Sequence, residues 1–402
     1  MTTVAAIETA KQRALDAVSS ISGELVRLSH QIHEAPELAF KERQAYEALV
    51  AGARGHGFEV EEQAYGMGTC FRGERGRGPV TLAICAEYDA LPEMGHACGH
   101  NLIAACGLGG AIAAAAALDA GDARIVLLGT PAEEYGGGKI QMIKRGCFDD
   151  IDAALMAHPG PVDFVYGGWQ GAAQADVQFF GKAAHQASSP ENGLNALDAI
   201  VTAYNGVSQL RQHIRRDARL ACIITKGGDA TNVIPEHTAG RFSVRAGTME
   251  YMQDLKRRVE ACIEAGALAT GCRAEVKWFE IEYAPVLHNQ AMAEAYARNG
   301  EALGRHFVDL SRESVGSTDM GNVSQVLPAI HPAFGIGNAR PHTREFAEVA
   351  GTDAAQAAML DAARMLATTA VDLALDGELL AEAVREFEAR RGARNATNGG
   401  TR

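Results

Sequence analysis

Four short segments of this chain carry residue types that together suit a hydrolytic metal site. They are His-Ala-Cys-Gly-His with Cys98 and His100, Thr-Pro-Ala-Glu-Glu with Glu133 and Glu134, His-Pro-Gly with His158, and Arg-Pro-His-Thr-Arg with His342. Thiolate, imidazole and carboxylate donors in one place favour zinc or a similar divalent ion. If one of the two glutamates binds metal, the other is left to move protons. Taken singly, each residue has a plainer explanation. A free cysteine is commonly a small buried apolar residue, a lone histidine caps a helix or lies on the surface, and two adjacent glutamates can be a solvated acidic turn. Adjacent carboxylates in a glycine-rich loop are nevertheless costly unless a positive charge lies between them, and the set as a whole favours a metal site.

Two further loops are candidates for contact with a reacting group. Gly181-Lys182-Ala183-Ala184-His185 and Gly227-Gly228-Asp229-Ala230-Thr231-Asn232 offer His185 and Asn232 as oxyanion donors, although the same residues are turn formers. Arg241-Phe242-Ser243-Val244-Arg245 ends a predicted strand. An arginine fork there suits a substrate carboxylate, while a structural ion pair is the competing explanation for Arg245. Other chemistries fit less well. Gly-Gly-Gly-Lys139 is no phosphate loop, because Glu133 and Ile140 stand where that motif needs Gly and Ser or Thr. The nucleophile elbow and the His-Glu-x-x-His helix are absent. A Cys98 nucleophile paired with a histidine leaves Glu134, His158 and His342 without a common purpose.

The elements that must position these residues alternate. Helices are expected over 5–19, 23–33 and 41–56, and a strand pair near 58–62 and 69–72. A strongly apolar strand at 80–86 is followed by a helix from about 101, a strand at 124–129, a short helix from 139 and a strand at 153–157. This order implies a mostly parallel sheet covered on both faces, whose strand ends carry the ligand-bearing loops. From 171 the pattern becomes strand 172–180, helix 194–214, strands 219–226 and 237–246, helix 249–270 and strand 273–283, the βαββαβ order of a ferredoxin-like unit. Alternation resumes with helix 291–303, strand 329–335 and helix 352–376. The expected fold is therefore α/β. An αβα catalytic domain (1–170 and 285–402) carries an inserted lid domain (171–284). The Arg-, Gly- and Asn-rich stretch from Arg390 reads as disordered.

Composition narrows the classes. The 402 residues are 47% hydrophobic and 22% charged, with a formal net charge of −13. That describes a globular protein and argues against nucleic acid or an anionic membrane as partner. The eight cysteines include no Cys-x-x-Cys pair, which suits reduced cytoplasmic thiols rather than a disulfide framework. No basic-then-apolar leader opens the chain. The uncharged stretch 102–118 is mostly Ala and Gly, which reads as a helix buried behind the sheet rather than a membrane span.

Together, His-Glu-Ala-Pro-Glu-Leu from His33, His-Ala-Cys-Gly-His, Pro-Ala-Glu-Glu, the lid Ala-His and Asn-Val-Ile-Pro resemble the aminoacylase and carboxypeptidase-G group of metal-dependent amidohydrolases, the M-twenty peptidases. The branch indicated is the cysteine-bearing one, with p-aminobenzoyl-glutamate hydrolases, auxin-conjugate hydrolases and aminoacylase-like dipeptidases. The resemblance implies two divalent ions per subunit, zinc or else manganese or cobalt, held by Cys98, His100, Glu134, His158 and His342. It implies Glu133 as general base, His185 reaching the site of a partner subunit in a homodimer or higher oligomer, and Asn232 contacting a small amide substrate. Glu87-Tyr88-Asp89 stands where other branches carry a His-x-Asp strand motif, and Asn101 where many relatives of this branch have Asp. The expected reaction is hydrolysis of an N-acyl amino acid, a p-aminobenzoyl-glutamate-like conjugate or a dipeptide. A carbamoylase, a general aryl or alkyl amidase, or a metal-binding protein without turnover are the alternatives.

Overall fold

A computed structural model gives the structure and describes residues 3–398. Helix α1 (Val4–Glu34) begins at Thr3, whose side chain accepts from the Ala6 amide. It buries Ala10, Ala14, Val18, Leu25, Leu28 and Ile32, a helical spacing that makes one apolar stripe. It runs unbroken through Gly23, where two helices were expected; a single mid-helix glycine costs only about 1 kcal/mol. Helix α2 (Arg43–Gly55), the pair β1 (Glu59–Glu62) and β2 (Phe71–Arg75), and strand β3 (Val80–Glu87) follow. Then come helix α3 (His100–Ala117), strand β4 (Ala123–Thr130), the single turn α4 (Glu133–Gly136), helix α5 (Gly138–Lys144) and strands β5 (Ala153–Leu155), β6 (His158–Gly160) and β7 (Phe164–Trp169).

Next in the chain are β8 (Gly171–Phe180), α6 (Ala196–Leu210), β9 (Arg219–Lys226), β10 (His237–Ala246), α7 (Met249–Thr270) and β11 (Arg273–Trp278). The remainder is α8 (Gln290–Ala302), β12 (Val308–Gly316), α9 (Met320–Val323), β13 (Ala329–Ile330), β14 (Ala333–Gly335), α10 (Arg344–Ala350), α11 (Asp353–Leu375) and α12 (Gly377–Asn398). The stretch expected as one strand at 329–335 is two strands in two sheets, split where Pro332 cannot donate to a ladder. The stretch from Arg390, expected to be disordered, continues α12 to Asn398.

The chain divides into two compact units. One takes in the chain up to Gly167, Val286–Glu313 and the chain from Asp319 onward. Its main sheet has the order β1-β2-β4-β3-β5-β13. The pairs β3/β4, β3/β5 and β5/β13 are parallel, while β1 and β2 add an antiparallel edge. The β3/β4 register runs from Val80 opposite Ala123 to Glu87 opposite Thr130, so the two strands end level. Helix α3 has almost no polar face and packs between α1 and α11. It is long and apolar enough to cross a membrane, yet 89% of it is buried inside the fold.

The other unit comprises Gly168–Pro285 and Ser314–Thr318. Its sheet, β11-β8-β10-β9, is antiparallel throughout, and α6 and α7 pack on it around a core of its own. This is the ferredoxin-like arrangement. The return of Ser314–Thr318 to this unit was not foreseen from the sequence.

Candidate metal centre

Parallel strands that end level deliver their following loops to one edge. After β3 comes Asp89, after β4 the loop 131–138, after β5 the approach to His158, and all belong to the first unit. Gly99 separates Cys98 from His100 and has φ +75°, and a Cβ there would lie 2.5 Å from Pro159 Cγ. Only glycine fits, and the turn it permits lets both neighbours serve the same cleft. In the next loop a Cβ on Gly138 would lie 1.7 Å from the Pro131 carbonyl oxygen, so the loop carrying Glu133 and Glu134 is closed as tightly as backbone allows.

The donors converge. Cys98 Sγ lies 3.4 Å from His158 Nε2, and His158 Nδ1 lies 2.7 Å from the Pro159 carbonyl, which fixes the ring with Nε2 toward the sulfur. His342 takes a left-handed backbone, φ +64°, and its amide donates to the Ala97 carbonyl at 2.8 Å. Its Nε2 stands 3.4 Å from Glu134 Oε1. Cys98, His100 and His158 form one trio of donor atoms within 4.8 Å of one another, and Cys98, Glu134 and His342 form a second. His100, Glu133 and Glu134 form a third.

The donor set fits a divalent metal on physical grounds. Glu134 Oε1 and His100 Nε2 are buried and have no hydrogen-bond partner among the described residues, an expensive state unless something else satisfies them. They lie 4.0 Å apart, and the sulfur, nitrogen and oxygen donors around them are those zinc and similar ions take.

Asp89, passed over in the sequence as a ligand candidate, organises this cluster. It is buried, its Oδ1 lies 3.0 Å from His100 Nδ1, and its Oδ2 accepts from the Glu134 amide at 2.9 Å. Burial would lower the His100 pKa, but Asp89 and then Cys98 raise it well above the usual histidine range. A dication on Nε2 would take the place of that proton. The Glu133 carboxyl is pushed well above its ordinary range by burial and by the neighbouring Glu87, Glu134 and Asp319.

A second buried group lies alongside. Lys139 Nζ pairs with Glu87 Oε1 and, at 2.8 Å, with Asp319 Oδ1, all three side chains being fully buried. Glu87 Oε2 stands 3.6 Å from His100 Nε2. No local sequence signal joins these three positions. Asn101 turns away, donating to Ser29 Oγ at 3.0 Å and to the Ala350 carbonyl at 3.3 Å. Its identity therefore reports on helix packing rather than on ligand choice.

In the second unit His185 and Asn232 are exposed and lie on adjoining loops. His185 bridges Val233, and the Gln186 amide donates to the Asn232 carbonyl at 3.1 Å. His185 Nδ1 accepts from the amides of Ala187 and Ser188, each at 3.2 Å. With Nδ1 accepting, Nε2 is the ring's donor nitrogen. Arg241 is paired with Asp176 at 2.9 Å. Among the described residues no carboxylate pairs with Arg245; its Nη1 donates to Ser317 Oγ at 2.8 Å.

The sequence of this chain matches the model of Peptidase family M20/M25/M40 over residues 83–371. It is 40% identical to the Xaa-Arg dipeptidase of Mus musculus, across 96% of this chain and 93% of that protein. The chain belongs to peptidase family M20/M25/M40. It is accordingly a hydrolase acting on amide or peptide bonds. Within the M20 family it is also 29% identical to one of the subunits of the p-aminobenzoyl-glutamate hydrolase of Escherichia coli, across 93% of this chain and 94% of that one. The crystal structure of a dinuclear metal-binding M20 peptidase from Bacillus subtilis shares the fold, with a TM-score of 0.71 and 21% identity over 89% of this chain and 99% of that one.

Proposed function

We propose that this chain is a binuclear metal-dependent dipeptidase or aminoacylase. It cleaves an amide whose amine half is an amino acid with a free α-carboxylate. The observation that carries this is the pair of donor trios sharing Cys98, with the third trio bringing Glu133 beside them. In this reading Cys98, His100, Glu134, His158 and His342 hold two divalent ions. Zinc is the first choice, with manganese or cobalt as alternatives. When bound, such ions polarise the scissile carbonyl and acidify an attacking water. Glu133 accepts the proton and hands it to the leaving amine. Asp89 keeps His100 in the ring orientation a ligand needs. His185, through Nε2–H, donates to the oxyanion, reaching a partner subunit as the resemblance implies, and Asn232 contacts the substrate. Arg245, uncommitted to any carboxylate among the described residues, is the group assigned to the substrate carboxylate.

A homodimer is part of this reading. Strand β9 is an edge with Ile223 and Ile224 exposed, which supports pairing through the second unit. So is a cytoplasmic setting, in keeping with eight free cysteines. Nucleic acid and membranes are not among the proposed partners.

The name of the mouse relative makes dipeptides with C-terminal arginine the first substrates to try. The test is a panel of Xaa-Arg and other dipeptides, N-acetyl amino acids and p-aminobenzoyl-glutamate. Each is assayed with metal-replete enzyme, after chelation, and after zinc or manganese is restored. Metal-dependent release of the free amino acid is expected. No turnover of any member by metal-replete enzyme would overturn the reading.

A further inference from the structure

Glu42 is fully buried, and among the described residues no lysine, arginine or histidine pairs with it. A buried carboxylate without a cation is costly, so its partners matter. Its Oε1 accepts from two backbone amides, Phe40 and Ala132, each at 2.9 Å. Its Oε2 accepts from Thr69 Oγ1 at 2.9 Å. Glu42 stands at the N-cap of α2, yet its side chain does not cap that helix. Glu37 does so, through Oε2 to the amides of Gln44 and Ala45 at 2.9 and 3.2 Å. The Glu42 carboxylate is thus left for another use.

Both amides it holds belong to non-glycine residues with a left-handed backbone: Phe40 and Ala132 each have φ +60°. Such conformations persist only where surrounding contacts impose them. Ala132 immediately precedes Glu133, and its carbonyl accepts from the Gly138 amide at 3.2 Å, closing the loop. The same segment also grips the loop after β3. The Glu37 carbonyl accepts from the Ala90 amide at 2.8 Å, and the Thr69 carbonyl accepts from Tyr88 Oη beside Asp89. The stretch 37–42, with Thr69, thereby ties down two of the loops that carry the chemistry, those after β3 and β4.

We propose that Glu42 is a positioning residue for hydrolysis: through the Ala132 amide it sets the left-handed turn that aims Glu133 and Glu134 at the donor cluster. The inference rests on the amide-hydrolase reading above. The experiment compares Glu42→Gln, Glu42→Asp and Glu42→Ala by steady-state kinetics, bound metal, melting temperature and hydrogen exchange across residues 131–138. A glutamine oxygen still accepts from both amides, and its NH₂ group can donate to Thr69, so Glu42→Gln keeps kcat within a few-fold. Aspartate falls one methylene short. Glu42→Asp is expected to lose kcat by on the order of 10²-fold with KM little changed, since a small misplacement of a reacting group has that effect, and to bind metal more weakly through the misaimed Glu134. Exchange over 131–138 speeds in Glu42→Asp and Glu42→Ala but not in Glu42→Gln. Wild-type kcat and unchanged exchange in Glu42→Asp would overturn the proposal. So would a lower melting temperature with full kcat per folded molecule, which marks a purely structural role. If the wild type cleaves no amide, the functional reading fails while the exchange comparison still decides the role of Glu42 in the loop.

Discussion

Asp89 reaches His100 Nδ1 with one carboxylate oxygen and the Glu134 amide with the other, at 3.0 and 2.9 Å. One buried side chain therefore orients two of the five proposed ligands. Replacing it with asparagine keeps the shape but removes the charge and can present an NH₂ group to Nδ1. Asp89→Asn is expected to weaken metal affinity 10- to 100-fold in a competition titration against a chromophoric chelator, with the fold intact by circular dichroism. Wild-type affinity would show that Asp89 does not set the ligand geometry.

Ligand and base separate in a matched pair. Cys98→Ala and His342→Ala should lower bound metal and activity together, because each removes a donor from the Cys98–Glu134–His342 trio. Glu133→Gln should retain the metal and lose kcat by roughly 10² to 10⁴. Loss of metal from Glu133→Gln but not from Glu134→Gln would reverse the two assignments.

Subunit cooperation has its own readout. If His185 serves a partner's site, mixing inactive His185→Ala with inactive Glu133→Gln under subunit exchange restores part of the activity in hybrid dimers. No recovery after exchange has been demonstrated by mass spectrometry would confine His185 to its own chain.

The Lys139–Glu87–Asp319 group predicts a stability effect. Lys139→Met leaves two fully buried carboxylates without their cation. Breaking such a pair from one side costs about 3–5 kcal/mol, read as a lowered midpoint in urea. Adding Glu87→Gln and Asp319→Asn should recover much of it. If the single variant is as stable as wild type, the lysine is not what holds those carboxylates.

Glu42 also gives a pH signature. Burial, outweighing the bonds to its own amide, Thr69 and Phe40, pushes its carboxyl from 4.5 up to about 7. The folded state thus binds this proton more tightly than the unfolded chain. The stability it contributes is complete below pH 4.5 and is lost as pH rises through 7. Glu42→Gln, which mimics the protonated form, should flatten the unfolding free energy between pH 5 and 7 by on the order of 1–3 kcal/mol relative to wild type. Parallel curves would place the titration elsewhere.

Much of the second unit was legible in the sequence. The bounds of β9, β10 and α7 coincide with the expected ones because the alternation along β10, the run of strand-forming residues in β9 and the Thr248 cap are local signals. Strand β12 was missed: it is largely exposed and polar, so no apolar period marks it. At the site, the ligand candidates sit in compact motifs and could be read directly. Asp89, Glu42 and the Lys139 group act across long sequence separations, such as Glu42 to Ala132 and Lys139 to Asp319. A single sequence carries no local trace of such pairings, and the structure is what joins them.

The interrupted first unit has a consequence for how the protein is made. Residues up to Pro285 contain nearly all of the second unit, so it can reach its final form on the ribosome while its host is still unfinished. Helix α3 emerges well before α11, which covers one of its sides. During translation an almost wholly apolar helix therefore waits for its cover, an invitation to chaperones and a point at which slow elongation would favour aggregation. His342 likewise arrives long after Cys98, so the proposed chelate stays incomplete on a growing chain until His342 has left the exit tunnel.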